Sequence, residues 1–323
     1  VALSYVTVDA LLITLVFISV VVAALGAVAF GGRLVIATAI GLVVSLATAI
    51  MVPSEVKPAA YKDLHRAMAA FGAQLIGETH GVAGVVSVVR NRQIPMRTAP
   101  GLSLQSTALP PQQVAVFVDG DVIGTLPEAA LDRRSTAYFS QLLSALPYRF
   151  DPRRSRVAVL NAGTGWRVQQ AIGSGASAVT AVESNPQLVR LVCSWHRHAH
   201  TSACDPERVE WHVQSARAFV ASSPGNLDLI TLALSGDPAG LDALRIDHTA
   251  TVEAFTAYID HLTAAGALVV EGPTRTPPRL SIRMLATAQA ALSHAKVGEP
   301  SRHIIMLRGW QRFLLLVSRS PLS

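Results

Sequence analysis

The residues best placed to do chemistry fall in one short stretch and at one point beyond it. Asn161-Ala162-Gly163-Thr164-Gly165 follows the apolar run Arg156–Leu160 and precedes a helical pattern over 166–173. Glycines in such a turn let the backbone approach a ligand closely, and ligands of open α/β sheets sit beyond the carboxyl ends of the strands. Twenty residues after Gly163, Glu183 closes a second apolar run, AVTAVE. A carboxylate there can accept two charge-assisted hydrogen bonds from ribose hydroxyls. Asn161, Gly163, Gly165 and Glu183 therefore read as a nucleoside-binding set. The competing reading is a tight strand-to-helix turn beside a solvated glutamate. Trp166 either closes over the nucleoside or packs the first helix on the sheet.

Other reactive residues form weaker patterns. Cys193, His196 and His200 recur at i, i+3 and i+7 of one helical run, with His198 and Cys204 close by. One helix face would thus present a thiolate and two imidazoles, a zinc-like donor set. No Cys-x-x-Cys pair supports it, so no metal site is expected and a His-rich helix surface is the simpler reading. Ser235 lacks the Gly-x-Ser-x-Gly elbow of a serine hydrolase, and no GxxxxGK[ST] phosphate loop occurs.

Alternating elements must position these residues. Strands are expected at Arg156–Leu160, Ala178–Val182, Val209–Val213, Leu227–Leu232, Ala267–Glu271, His303–Leu307 and Phe313–Val317, with helices over 166–173, 186–199, 215–222, 250–263 and 280–294. Such alternation makes a parallel, doubly wound sheet. The last two strands are separated by only Arg308-Gly309-Trp310-Gln311-Arg312 and must be antiparallel neighbours. A parallel sheet ending in an antiparallel hairpin is similar to the Rossmann-like S-adenosylmethionine-dependent methyltransferase fold. Upstream, Val82–Val89 and Val114–Val118 read as strands, with Asp119-Gly120 as a turn and 92–112 as a long loop. These predict a small N-terminal β-domain.

Composition separates a further segment. Of the 323 residues, 50% are hydrophobic and only 15% charged, which excludes disorder, collagen-like repetition and coiled coil. Residues 1–60 hold only Asp9, Arg33, Glu55 and Lys57, so the net charge of +6 belongs to the rest. Leu11–Phe30 and Leu34–Val52 are charge-free runs of 20 and 19 residues, each long enough to span a bilayer. A secretory signal peptide is the alternative for the first run, but it has no basic n-region and a second span follows at once. The expected organisation is a transmembrane hairpin over 1–53, a linker and amphipathic helix over 54–72, the β-domain with a connecting helix over 73–150, and the Rossmann-like unit over 151–323. Lys57, Lys62, Arg66, Arg90, Arg92 and Arg97 follow the second span, while Arg33 alone lies between the two. The positive-inside rule then puts the body in the cytoplasm and the Gly-Gly-Arg turn outside. Two cysteines, Cys193 and Cys204, give no disulfide framework, in keeping with that side. The 27 cations include 24 arginines without a basic run, so lipid head groups rather than nucleic acid are the expected partner.

In order along the chain, ETHGVAGVVSVVRN, VFVDGDVIGT, TAYFSQLL, VAVLNAGTGW, AVESNPQLVRLV, QSARAF and LDLITLALSGDPAG resemble the spermidine synthase (polyamine aminopropyltransferase) family. The likeness covers about residues 75–320 and is greatest to its membrane-attached, spermidine-synthase-like bacterial branch, which implies the inner (cytoplasmic) membrane of a bacterium as the location. It implies a β-domain on a Rossmann-like domain, S-adenosylmethionine or its decarboxylated form as co-substrate without a prosthetic group, a polyamine acceptor and dimerisation. It also implies that Ser215-Ala216 border the adenine, and that Tyr138 and Asp237 are the remaining candidates on the acceptor side.

Several family positions differ here. Thr164 stands where the glycine loop usually carries an Asp, and Gln214-Ser215-Ala216 replaces a Gly-Asp-Ala segment. The family's catalytic Asp falls on Ala233 when counted from Asp228 and on Leu234 when counted back from Asp237-Pro238. A protonated polyamine needs carboxylates to bind it and a base to free a lone pair. The expectation is therefore a transferase moving an aminopropyl or methyl group to an unidentified acceptor. The alternative is a catalytically inactive subunit of a membrane complex.

Overall fold

The computed structural model describes residues 59–322 except 82, 133, 152–154, 200 and 235–247, plus scattered positions between 14 and 41. The two apolar runs that predict the transmembrane hairpin otherwise lie outside the described residues. Among the described residues, no helix is long and apolar enough to cross a membrane.

Of the linker, the described part forms one short helix, α1 (Asp63–Met68). Four antiparallel strands follow in sequential order: β1 (Ala73–Gly81), β2 (Gly84–Asn91), β3 (Gln113–Val118) and β4 (Asp121–Pro127). The expected strand at Val82–Val89 is thus displaced by two residues. The longer β1 went unseen because AQLIGETHG has no clean alternation. The β3–β4 turn is Asp119-Gly120, both at positive φ (49° and 83°), as the Asp-Gly signal requires. Asp119 Oδ1 also accepts the Val85 N–H at 2.8 Å, which pins β2 to that turn.

Helix α2 (Leu146–Phe150) leads into a seven-stranded sheet. Its elements are β5 (Arg156–Leu160), α3 (Trp166–Gly173), β6 (Ala178–Glu183), α4 (Pro186–His198), β7 (Val209–Val213), α5 (Ala216–Ser222), β8 (Leu227–Ala233), α6 (Val252–Asp260), β9 (Leu262–Pro273), α7 (Arg279–His294), β10 (Ile304–Arg308) and β11 (Arg312–Ser318). The strand order is β10-β11-β9-β8-β5-β6-β7; β11 is antiparallel to both of its neighbours and the other pairs are parallel. Strands buried on both faces read as continuous apolar runs, and Val157 to Leu160 are each no more than 1% exposed.

Each face has its own core. Ile230, Leu232, Leu234, Leu268 and Val270 pack with Phe255, Tyr258 and Met284 of α6 and α7. Leu229, Val269, Leu314 and Leu316 pack with Val168 and Ala171 of α3. Leu262 and Thr263, expected at the end of a helix, instead begin β9, which takes in Ala264–Gly266 as well. His261 caps α6, and Leu227 N–H bonds His261 O, drawing the next residues into the sheet. Small Ala-Ala-Gly residues carry little intrinsic preference, so that pairing decides.

Candidate site at the strand ends

The loop 161–165 closes over the carboxyl ends of three strands. Ala162 N–H bonds Val182 O at 3.0 Å, and Asn161 Nδ2 donates to Ala233 O at 3.0 Å, tying β5 to β6 and β8. Asn161, Gly163 and Gly165 have φ of 53°, 54° and 79°, a left-handed path that asparagine tolerates and glycine favours. A Cβ on Gly163 would meet only Asn161 O, at 3.9 Å, so this point of the loop is open. A Cβ on Gly165 would lie 3.4 Å from Ala203, His196 and Val192, so Gly165 allows close packing of the loop on α4.

Glu183 ends β6 beside the loop. Its Oε2 accepts the Gly163 N–H at 3.1 Å and its Oε1 the Asn185 N–H at 3.0 Å. The structure therefore brings Asn161, Gly163, Gly165 and Glu183 together, with the carboxylate held in place before any ligand arrives. Ser215 is exposed and caps α5 by accepting the Ala218 N–H, while Ala216 is 1% exposed within the core. Only Ser215 of that pair offers a side chain to solvent.

The β-domain supports the loop from the other side. Gln187 Nε2 donates to Gly84 O, Asn185 Nδ2 to Ala83 O, and Trp195 Nε1 to Pro127 O at 2.7 Å. Gly124 of β4 lies so close to Thr164 that a Cβ there would come within 2.9 Å of its Oγ1. Asp119 belongs to the turn of this domain.

The cysteine expectation is corrected: Cys193 on α4 and Cys204 form a disulfide. Their spacing of 11 residues spans an irregular segment, so sequence periodicity alone could not pair them. Among the described residues no group of metal-binding side chains assembles. His196 instead is fully buried: its Nε2 donates to Thr164 O at 3.1 Å, and its Nδ1 faces Gln169 and Thr201. Burial holds this imidazole below the ordinary histidine range, against the pull of its bond to Thr164 O. His200 lies outside the described residues.

On the acceptor side the two counts for the catalytic position part. Leu234 is in the core with α6 and α7, whereas strand alternation puts Ala233 on the opposite face with Thr231 and Leu229. Ala233 pairs with Glu271 of β9. Glu271 is 4% exposed and accepts from Arg167 Nη2 at 3.0 Å. Trp166 settles against the Arg167 guanidinium, 4.4 Å from ring centroid to Cζ, and packs with Tyr138, Phe139 and Leu142. Sequence reading passed over Glu271 as an ordinary strand end, and Arg167 as one helix cation among many. Only the packing of α3 on the sheet face that carries Glu271 joins them. Tyr138 is 6% exposed, and burial pushes its phenol up to about 12, so it is neutral near pH 7. Asp237 lies outside the described residues.

No protein-family model matches the chain, and no curated protein does. Solved structures do. The strand order and C-terminal hairpin define the Rossmann-like class shared with S-adenosylmethionine-dependent methyltransferases. Within that class the chain has a spermidine-synthase-like fold. It is similar to a spermidine synthase solved in complex with a transition-state analogue, at 14% identity and a TM-score of 0.50 over 77% of this chain and 73% of that one. It is likewise similar to a probable spermidine synthase from Corynebacterium glutamicum, at 16% identity and a TM-score of 0.51 over 76% and 81%.

Proposed function

We propose that this chain is a membrane-anchored transferase that binds S-adenosylmethionine or its decarboxylated form. The observation that carries this reading is the Glu183 carboxylate fixed to Gly163 N–H at the ends of β5 and β6. Gly163 gives the ligand access to the backbone, Gly165 seats the loop against α4, Asn161 holds the loop to β8, Glu183 receives the ribose and Ser215-Ala216 border the adenine. An acceptor lone pair would attack the carbon next to sulfur. The carbon–sulfur bond breaks with its electron pair passing to sulfur, leaving a neutral thioether, and the acceptor sheds a proton.

Anchoring rests on the runs Leu11–Phe30 and Leu34–Val52, with the body on the cytoplasmic side from the placement of its cations and a second copy as partner. Titration calorimetry on the full chain in detergent tests the donor site. Micromolar binding of either sulfonium nucleoside, lost in Glu183→Ala, supports it. No heat with either at millimolar concentration overturns it.

A second reading, an inactive subunit of a membrane complex, is favoured by one observation: Ala233 supplies no carboxylate, and neighbouring Glu271 is already bound by Arg167. Nucleoside binding without turnover across a panel of acceptors would support that reading.

A further inference from the structure

We propose that the acceptor end of this site binds an oxyanion, a carboxylate or phosphate carried by the acceptor, through Arg312 and Arg167. The inference rests on the donor reading above for its place in a reaction, but its own argument is geometric. Leu314 of β11 pairs with Glu271 of β9, and Arg312 is two residues before Leu314. Strand alternation puts Arg312 and Glu271 on one face of the sheet, the face that also carries Ala233. Arg167 reaches the same place from α3. Two guanidinium groups thus lie on the face of one carboxylate, which pairs with Arg167 alone, so that among the described residues a surplus positive charge stands at the end of the sheet.

Arg312 is the residue left over. Arg167 takes Glu271, and Arg312 makes no side-chain hydrogen bond or ion pair among the described residues; its Nε is closed off from solvent without a partner. Thr274, whose N–H bonds Gln311 O at 2.8 Å, also has a buried hydroxyl without a partner. Burial, and then the Arg167 charge, draw the Arg312 guanidinium down to about 10 against the opposing pull of Glu271. A buried charge is ordinarily paired, and the guanidinium fork matches the two oxygens of a carboxylate or phosphate. The same surplus charge repels a protonated polyamine, in keeping with the absence of a carboxylate at Ala233.

The test uses the full chain in detergent, with the thermal midpoint measured against inorganic phosphate and, separately, acetate, at ionic strength matched with sodium chloride. A saturable rise with either anion is expected, and which one acts separates a phosphate from a carboxylate acceptor. Arg312→Met should weaken that binding at least tenfold, while Arg302→Met, at an exposed arginine, leaves it unchanged. Without anion, Arg312→Met should melt a few degrees higher, because a buried unpaired charge is gone. Should that variant not fold, Arg312→Lys keeps the charge without the fork and should still bind several-fold more weakly. No saturable response to either anion, or wild-type binding by the Arg312 variants, overturns the proposal. Nucleoside binding is measured in parallel with Glu183→Ala. Loss of the anion response alone sinks this inference, whereas loss of nucleoside binding alone sinks the donor reading and leaves the anion site standing.

Discussion

Gly163 and Gly165 answer to different constraints, and their variants should separate them. Gly163→Ala meets no neighbour closer than 3.9 Å, so it should cost only the left-handed backbone, about 1–2 kcal/mol by thermal unfolding. Gly165→Ala adds contacts at 3.4 Å with Ala203, His196 and Val192 and should lose more. The buried Arg167–Glu271 pair makes a sharper case. Arg167→Met removes the group bonded to Glu271 and should destabilise by less than the about 3–5 kcal/mol of a buried pair broken outright, because the Arg312 charge stays beside the carboxylate; thermal unfolding measures the loss. His196 sets a pH dependence. Its folded pKa lies below the unfolded value near 6.5, so the unfolded chain binds the extra proton. The stability it contributes is complete above that value and declines as pH falls from about 6.5 toward the lowered folded pKa. The thermal midpoint should drop across that interval, and His196→Gln should flatten the slope. These residue types were readable from the sequence, but their pairings were not. Arg167 and Glu271 are 104 positions apart and meet only because α3 packs on the face of the sheet that carries Glu271.

At the scale of elements, α4 joins the two halves of the body. Asn185 caps it by accepting the Gln187 and Leu188 N–H groups, Pro186 opens its first turn, and Gln187 and Trp195 bind the β-domain. Its middle is bonded through Cys193 to Cys204, in the segment whose Ala203 backs Gly165. Closing a loop this short is worth about 3 kcal/mol on the chain-entropy account, so reduction or Cys204→Ser should lower the midpoint of chemical denaturation correspondingly. Non-reducing mass analysis of the purified chain should show the bond. On the cytoplasmic side such a bond would answer to cellular redox state and not serve as a permanent staple. The helices 166–173 and 186–199 were legible from the alternation of elements. The disulfide was not, because no local pattern fixes the path between Cys193 and Cys204.

For the whole molecule, the runs Leu11–Phe30 and Leu34–Val52 predict that the full chain sediments with membranes and is released by detergent but not by high salt. Recovery in the high-salt wash would overturn the anchor. The sequence by itself determined the alternation of strands and helices, the antiparallel pair at the end and the glycine loop with its glutamate. Each of those depends on local composition: continuous apolar runs make buried strands, and glycine is needed where φ is positive. Tertiary structure alone decided which of Ala233 and Leu234 faces the site, that Glu271 lies beside Ala233 under Arg167, and that Arg312 makes no ion pair among the described residues. Those facts depend on register and crossover between strands far apart in the chain. A shift of one residue turns a side chain to the other face of the sheet, and only packing against both faces fixes that choice.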